Sequence, residues 1–180
     1  MKKIILLLVG LLPIALAQTA YPETVTRLIP VERGKVVSIM ANLESGIDMP
    51  DLSWAWRSDM ACFVQLQAWK FQSKHKLFVI PTKFSGIGEI TVRVMPTDPK
   101  VNLSLWYYMA GATDYRLPPK VSSMRACEAD FIWDRPFKNQ TQDHTRYVST
   151  GAKGNENVLI GVSAPKEITA ADFKLEVSVK

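Results

Sequence analysis

Histidine and cysteine each occur only twice in the 180 residues. Neither pair has the C-x-x-C or H-x-x-x-H spacing of a metal ligand set, so no zinc site is expected. The motifs of common enzyme chemistry are missing as well. There is no G-x-S-x-G nucleophile elbow, no phosphate-cradling G-x-x-x-x-G-K-[ST] loop and no H-E-x-x-H helix. Ser85-Gly86-Ile87-Gly88 has two glycines but lacks the third of a dinucleotide loop. It leads into a strand and reads as a turn. No run of basic residues marks a nucleic-acid footprint. Lys70, Lys74, Lys76, Lys83, Arg93 and Lys100 are scattered, as on solvated strand faces. Apolar residues at 47% and charged residues at 22% exclude a disordered tail or a collagen-like rod, and the length suits one domain.

The first positive signal is an address. Met1-Lys2-Lys3 is a short basic region, and an apolar run from Ile4 to Ala17 follows, interrupted only by Gly10 and Pro13. Ala15 and Ala17 supply the small residues of a cleavage site, which completes the grammar of a secretory signal peptide over residues 1–17. The run has about 14 residues, short of the roughly 20 that a spanning helix needs. No second run of that length follows, so no membrane attachment is expected after the signal is removed. The brevity and the double lysine look bacterial, so the mature chain, from Gln18, is expected in the periplasm or outside the cell. Loss of Lys2 and Lys3 takes the formal charge from +5 to +3, which is mild and implies no nucleic-acid partner. An oxidising compartment favours pairing of Cys62 with Cys127. Closing a loop of about 66 residues stabilises a fold by roughly 4 kcal/mol in the chain-entropy model. The bond is expected to be structural, because its spacing carries no redox motif.

The body of the chain reads as strands. Phe173, Leu175, Val177 and Val179 alternate with Lys174, Glu176, Ser178 and Lys180, one face buried and one wet. Asn157 to Val162 is continuously apolar, as a strand at a sandwich centre requires, and the two segments are expected to form a terminal hairpin. Ile90, Val92 and Val94 share a face before Pro96, and Val101, Leu103, Leu105 and Tyr107 share another. Lys76 to Ile80 reads as a strand closed by Pro81. Cys62, Val64, Leu66 and Ala68 share one face of a further strand, and Val37, Ile39, Ala41 and Leu43 of an earlier one. Val25 to Ile29 and Arg146 to Thr150 are weaker candidates. No segment sustains a 3.6-residue period. About eight strands between turn signals give an all-β chain, an antiparallel β-sandwich or jelly roll. A lead segment over 18–33 is expected to precede a single domain over 34–180.

Two kinds of residue could carry binding. Trp54 and Trp56 lie two apart and would point the same way in an extended chain, and Trp106 with Tyr108 makes a similar pair. Such rings can stack on sugars or fill a core. Asp48, Asp51 and Asp59 gather in one loop region, and Glu128, Asp130 and Asp134 in another. Calcium is the one cofactor these carboxylates admit, though neither has the loop order of an EF-hand, and otherwise no cofactor is expected. His144, beside Asp143, could belong to a hydrolytic triad but reads more simply as an exposed loop residue. His75, between Lys74 and Lys76, reads as a turn residue.

The order of these segments resembles a known family. Trp54-Ala55-Trp56-Arg57-Ser58 precedes Ala61-Cys62-Phe63, and Lys76-Leu77-Phe78-Val79-Ile80-Pro81 follows. Next come Gly88 to Pro96 and Val101 to Tyr108 as paired strands, then Cys127-Glu128-Ala129-Asp130, Val158-Leu159-Ile160-Gly161-Val162 and Asp172-Phe173-Lys174-Leu175-Glu176-Val177. This is similar to the pre-peptidase C-terminal domain, a bacterial secreted β-sandwich often appended to proteases. The resemblance covers Gly34 to Lys180, with Phe173-x-Leu175-x-Val177 at the place of the family's closing Y-x-L-x-V strand. Val101 and Asn102 stand where the family carries an Asp pair, which weakens the implied calcium site. The resemblance implies a stand-alone, non-enzymatic module with an accessory or binding role toward an extracellular protein or glycan. A carbohydrate-binding module using Trp54, Trp56 and Trp106, a small extracytoplasmic hydrolase using His144, and a structural surface component are the alternatives.

Overall fold

The computed structural model describes residues 20–56, 65–121, 124–129 and 144–180. The signal segment 1–17 and the expected cleavage site lie outside them. Among the described residues ten strands make two sheets. β1 (Val25–Arg27), β2 (Val31–Glu32), β4 (Lys76–Lys83), β6 (Ser104–Ala110), β7 (Ala126–Glu128) and β9 (Asn157–Ser163) form one, in the order β1-β4-β9-β6-β7 with β2 also on β4. β3 (Val36–Asn42), β5 (Ile87–Pro96), β8 (Arg146–Lys153) and β10 (Asp172–Val179) form the other, in the order β3-β10-β5-β8. All pairings are antiparallel except those of β1 and β2 with β4. The chain is thus an all-β antiparallel sandwich, as the alternation predicts, and the segment expected as a lead-in contributes two short strands to it.

The core follows from the pleat. On β5 and β10 every second residue is buried: Ile90, Val92 and Val94, then Phe173, Leu175, Val177 and Val179. They face Phe78 and Ile80 of β4, Leu105 and Tyr107 of β6, and Val158, Ile160 and Val162 of β9 in one cluster. Phe78 meets Phe173 edge to face, with centroids 6.2 Å apart, which locks the two sheets together. Side chains of this size each contribute about 1.5–3 kcal/mol on burial.

Three connections differ from the sequence reading. β9 and β10 do not form a hairpin: β9 sits between β4 and β6, and β10 between β3 and β5. The loop holding Pro165 carries the chain from one sheet to the other. β5 and β6 likewise part into different sheets. Periodicity fixes which face of a strand is buried and says nothing of which neighbour it takes. Third, β4 runs on through Pro81 to Lys83. The Thr82 amide donates toward the β9 side, to Glu156 O at 2.8 Å. The Pro81 nitrogen therefore faces the other side, where pairing passes from β1 to β2 and no donor is needed.

Candidate functional site

The six-stranded sheet has a second buried face. Leu77 and Val79 of β4, Trp106 of β6 and Leu159 of β9 point away from the sandwich core, yet all are buried. They are covered by a cap built from Leu52, Trp54 and Ala55 around the 3-10 turn Ser53–Ala55, Phe71 at the end of the 3-10 segment Gln65–Phe71, and Val121, Met124 and Ala129. This corrects the reading of Leu66 and Ala68 as strand residues. The described part of that stretch is a 3-10 segment that buries Phe71 and leaves Leu66 in solvent. Cys62 and Val64 of the same expected strand lie outside the described residues.

Trp106 is the centre of the cap. Its indole lies over Gly161 of β9, where an added Cβ would collide with the ring. Trp54 stands edge-on to it, with centroids 5.2 Å apart. The Trp106 indole N–H donates to His75 Nδ1 at 3.1 Å, so the proton of a neutral imidazole sits on Nε2, which donates to Phe71 O at 2.9 Å. His75 is fully buried rather than a turn residue, and its backbone bridges to Ile47 in both directions. Burial pushes its pKa down to about 4, partly opposed by the bond to Phe71 O. Its sequence neighbours Lys74 and Lys76 gave no sign of this. Ser104 Oγ donates to Lys70 O at 2.8 Å, and Ser163 Oγ to Ser73 O at 3.2 Å, fastening the cap segment to β6 and β9.

The expected aromatic platform of Trp54, Trp56 and Trp106 is therefore corrected. Trp54 and Trp106 are core residues, and Trp54 lies in a 3-10 turn that rotates its ring away from that of Trp56. What the cap does expose is Trp56 at 41%, Leu66 at 87% and Trp69 at 47%. Trp69 and Leu66 were missed as site residues because the strand reading put Leu66 in the core and assigned Trp69 no role. The buried Lys70 places its ammonium 5.4 Å from the Trp69 ring centroid, a cation–π distance.

A second polar group lies beside the cap. Arg116 grips Asp114 in a bidentate pair, Nε to Oδ1 at 2.8 Å and NH2 to Oδ2 at 2.7 Å. The Tyr21 hydroxyl donates to Asp114 O at 2.8 Å, and its ring stands edge-on to Tyr115 at 5.3 Å. Burial, then the Asp114 charge, pushes the Tyr21 hydroxyl up to about 12. The Arg116 guanidinium holds the Asp114 carboxyl below its usual range.

The other expected residues are dispersed. Glu128 is half-buried on β7, whereas Asp130 and Asp134 lie outside the described residues, as does Asp59. Asp51 is exposed, and the Ser53 side chain first, then the Ser53 amide donating at 2.9 Å, holds its carboxyl below the usual range. Among the described residues, no three His, Cys, Asp or Glu side chains gather as a metal site. No free cysteine occurs among the described residues; Cys127 lies on β7 opposite Trp106, and Cys62 lies outside them. His144 Nδ1 lies 3.3 Å from Arg146 NH2, and Arg146 itself also donates to Leu103 O and Asn102 Oδ1. A guanidinium donating to that nitrogen occupies the lone pair a general base would use.

No family model matches the chain, and no curated protein matches it. Three solved structures are similar at fold level. The pre-peptidase C-terminal domain of a Bacillus anthracis collagenase is 12% identical, with 88% of this chain and 97% of that one covered and a TM-score of 0.39. PliG of Aeromonas hydrophila, a periplasmic inhibitor of g-type lysozyme, is 8% identical over 86% and 100%, at 0.42. CorA of Methylomicrobium album BG8, a surface-associated copper-binding protein, is 10% identical over 86% and 100%, at 0.41. Likeness of this degree carries no argument about function.

Proposed function

We propose that this chain is a secreted or periplasmic bacterial binding module of the pre-peptidase C-terminal type, non-enzymatic and closed by a Cys62–Cys127 disulfide. Its cap face would hold an extracellular protein partner. The observation that carries this reading is the exposure of Trp56, Leu66 and Trp69 on the layer that buries the outer face of the six-stranded sheet. Isolated apolar residues at a surface are ordinary. Three large ones on a cap already anchored by buried serines and His75 present a surface that the fold itself does not require. The signal pattern of residues 1–17 and the lack of a free thiol at Cys127 support the compartment and the bond.

A glycan ligand is the second reading. Trp69 favours it, since its half-exposed ring with a cation nearby can stack on a sugar. The experiment is a thermal-shift screen of the mature protein against glycans, calcium and EDTA, paired with pull-downs from the secreting cell. A partner retained by the wild type and lost by both Leu66→Asp and Trp69→Ala supports the protein reading. A glycan that raises the Tm of the wild type but not of Trp69→Ala selects the second. A partner that both variants retain refutes the cap as the site.

A further inference from the structure

Among the described residues β3 is an edge strand, paired only with β10. Its outward groups can be assigned. The Leu43 amide donates to Ala171 O at 2.9 Å, so Leu43 exchanges bonds with the β10 side. In an antiparallel pair such residues alternate with residues that face away. Ala41, Ile39 and Val37 therefore bond to β10, and Val36, Ser38, Met40 and Asn42 turn their amides and carbonyls to the open side. Asn42 O is taken by Ser45 Oγ at 2.8 Å, which ends the edge there. Among the described residues nothing hydrogen-bonds the outward groups of Val36, Ser38 and Met40.

Natural sheets protect their edges with short strands, charges, prolines or bulges. β1, β2 and β7 are two or three residues long. β3 has none of these devices. It is seven residues long, carries no charge and no proline, and keeps an unbroken register with β10. Val36 and Met40 are 63% and 60% exposed, and the inward-facing Ile39 and Ala41 are only partly buried.

We propose that this edge is a homodimer interface, where two copies join β3 to β3 antiparallel, with Val36 opposite Met40 and Ser38 opposite itself. The run selects its own copy because it is symmetric in kind about Ser38, with one large apolar residue two places to either side. A two-fold axis at Ser38 then pairs the two exposed apolar side chains twice and lets every outward amide find a carbonyl. An uncharged edge offers no charge pattern that would choose a different strand. The four-stranded sheet becomes continuous across both copies.

Sedimentation velocity of the mature protein from about 1 to 500 µM tests it. The expected result is a reversible monomer–dimer equilibrium. Ser38→Pro removes an outward amide in each copy without touching the ladder to β10, so it deletes two interface bonds. Its dimer is expected to weaken by about 30-fold, at roughly 1 kcal/mol per bond, with the low-concentration Tm unchanged. Ser38→Lys sets like charges together at the two-fold axis, while Glu176, the β10 neighbour of Ser38, accommodates the lysine within each monomer. It is expected to weaken the dimer too, and it decides the matter if the proline variant does not fold. A wild type that stays monomeric throughout, a dimer that folded Ser38 variants leave intact, or assembly beyond the dimer overturns the proposal.

Discussion

His75 should make this protein lose stability in mild acid. The imidazole is fully buried, accepts from the Trp106 indole on Nδ1 and donates from Nε2 to Phe71 O. A proton added to Nδ1 would break the indole bond and leave a charge in an apolar cap. Its pKa is accordingly lowered from 6.5 in the unfolded chain to about 4 when folded. Between those values the unfolded chain binds more protons than the folded one, so stability rises with pH and falls as pH drops through the window. The full difference corresponds to about 3 kcal/mol, and the loss between pH 7 and pH 5 is about 2 kcal/mol. Urea titrations followed by tryptophan fluorescence at half-unit steps from pH 7.5 to 4.5 measure it. His75→Asn supplies a carbonyl at the Nδ1 position for Trp106 and has no proton to gain. It should be less stable at pH 7 but flat across the window. Asp114 and Asp51, whose pKa values are lowered, contribute stability that is lost only at lower pH. A wild type with no slope between pH 6.5 and 5, or a His75→Asn variant with the wild-type slope, refutes the buried neutral histidine.

Gly161→Ala drives a Cβ into the Trp106 ring and should destabilise by about 1–3 kcal/mol, read as a lower Tm. Trp106→Phe removes the indole donor and strands His75 Nδ1, for about 1–3 kcal/mol in urea at pH 7. Arg116→Ala should raise the Asp114 carboxyl pKa, followed by carbon-detected NMR, with little change in Tm because the guanidinium is largely exposed. Acrylamide should quench Trp56 and Trp69 and spare Trp54 and Trp106, and a Trp69→Ala variant should lose an accessible fraction; uniform quenching would refute the described cap.

How much of this was legible depended on how far the information lies along the chain. The strands of the four-stranded sheet could be read because one face is wet: Lys174, Glu176 and Ser178 mark out Phe173, Leu175 and Val177. Pairing partners could not be read, because β9 and β10 would satisfy the same alternation in one sheet or in two. The histidine failed for a local reason. Lys74 and Lys76 flank it as they would flank a turn, and the partners that bury it, Trp106 and Phe71, are set by β6 and by a 3-10 segment that has no helical period. The tryptophans failed for the same reason. Trp54 and Trp56 look alike in sequence, and only the turn at Ser53–Ala55 sends one ring inward and leaves the other in solvent.

One signal of the cap was present and is general. In a two-layer sandwich each strand should alternate, since its outer face meets water. β5 and β10 do so, but β9 is buried from Asn157 to Ser163 without a break, and β4 is buried from Leu77 to Ile80. A continuously apolar strand therefore requires a third layer over its sheet. Here that layer comes from the Trp-rich stretch between β3 and β4, joined by Val121, Met124 and Ala129. Once Leu52, Trp54, Ala55 and Phe71 are used to cover Leu77, Val79, Trp106 and Leu159, the large apolar residues that the described part of that layer leaves exposed are Trp56, Leu66 and Trp69. The opposite sheet makes the same point from its edge, where the side chains of Val36 and Met40 stay mostly exposed. Both surfaces are found by the same subtraction: apolar side chains that the packing of the monomer leaves unused.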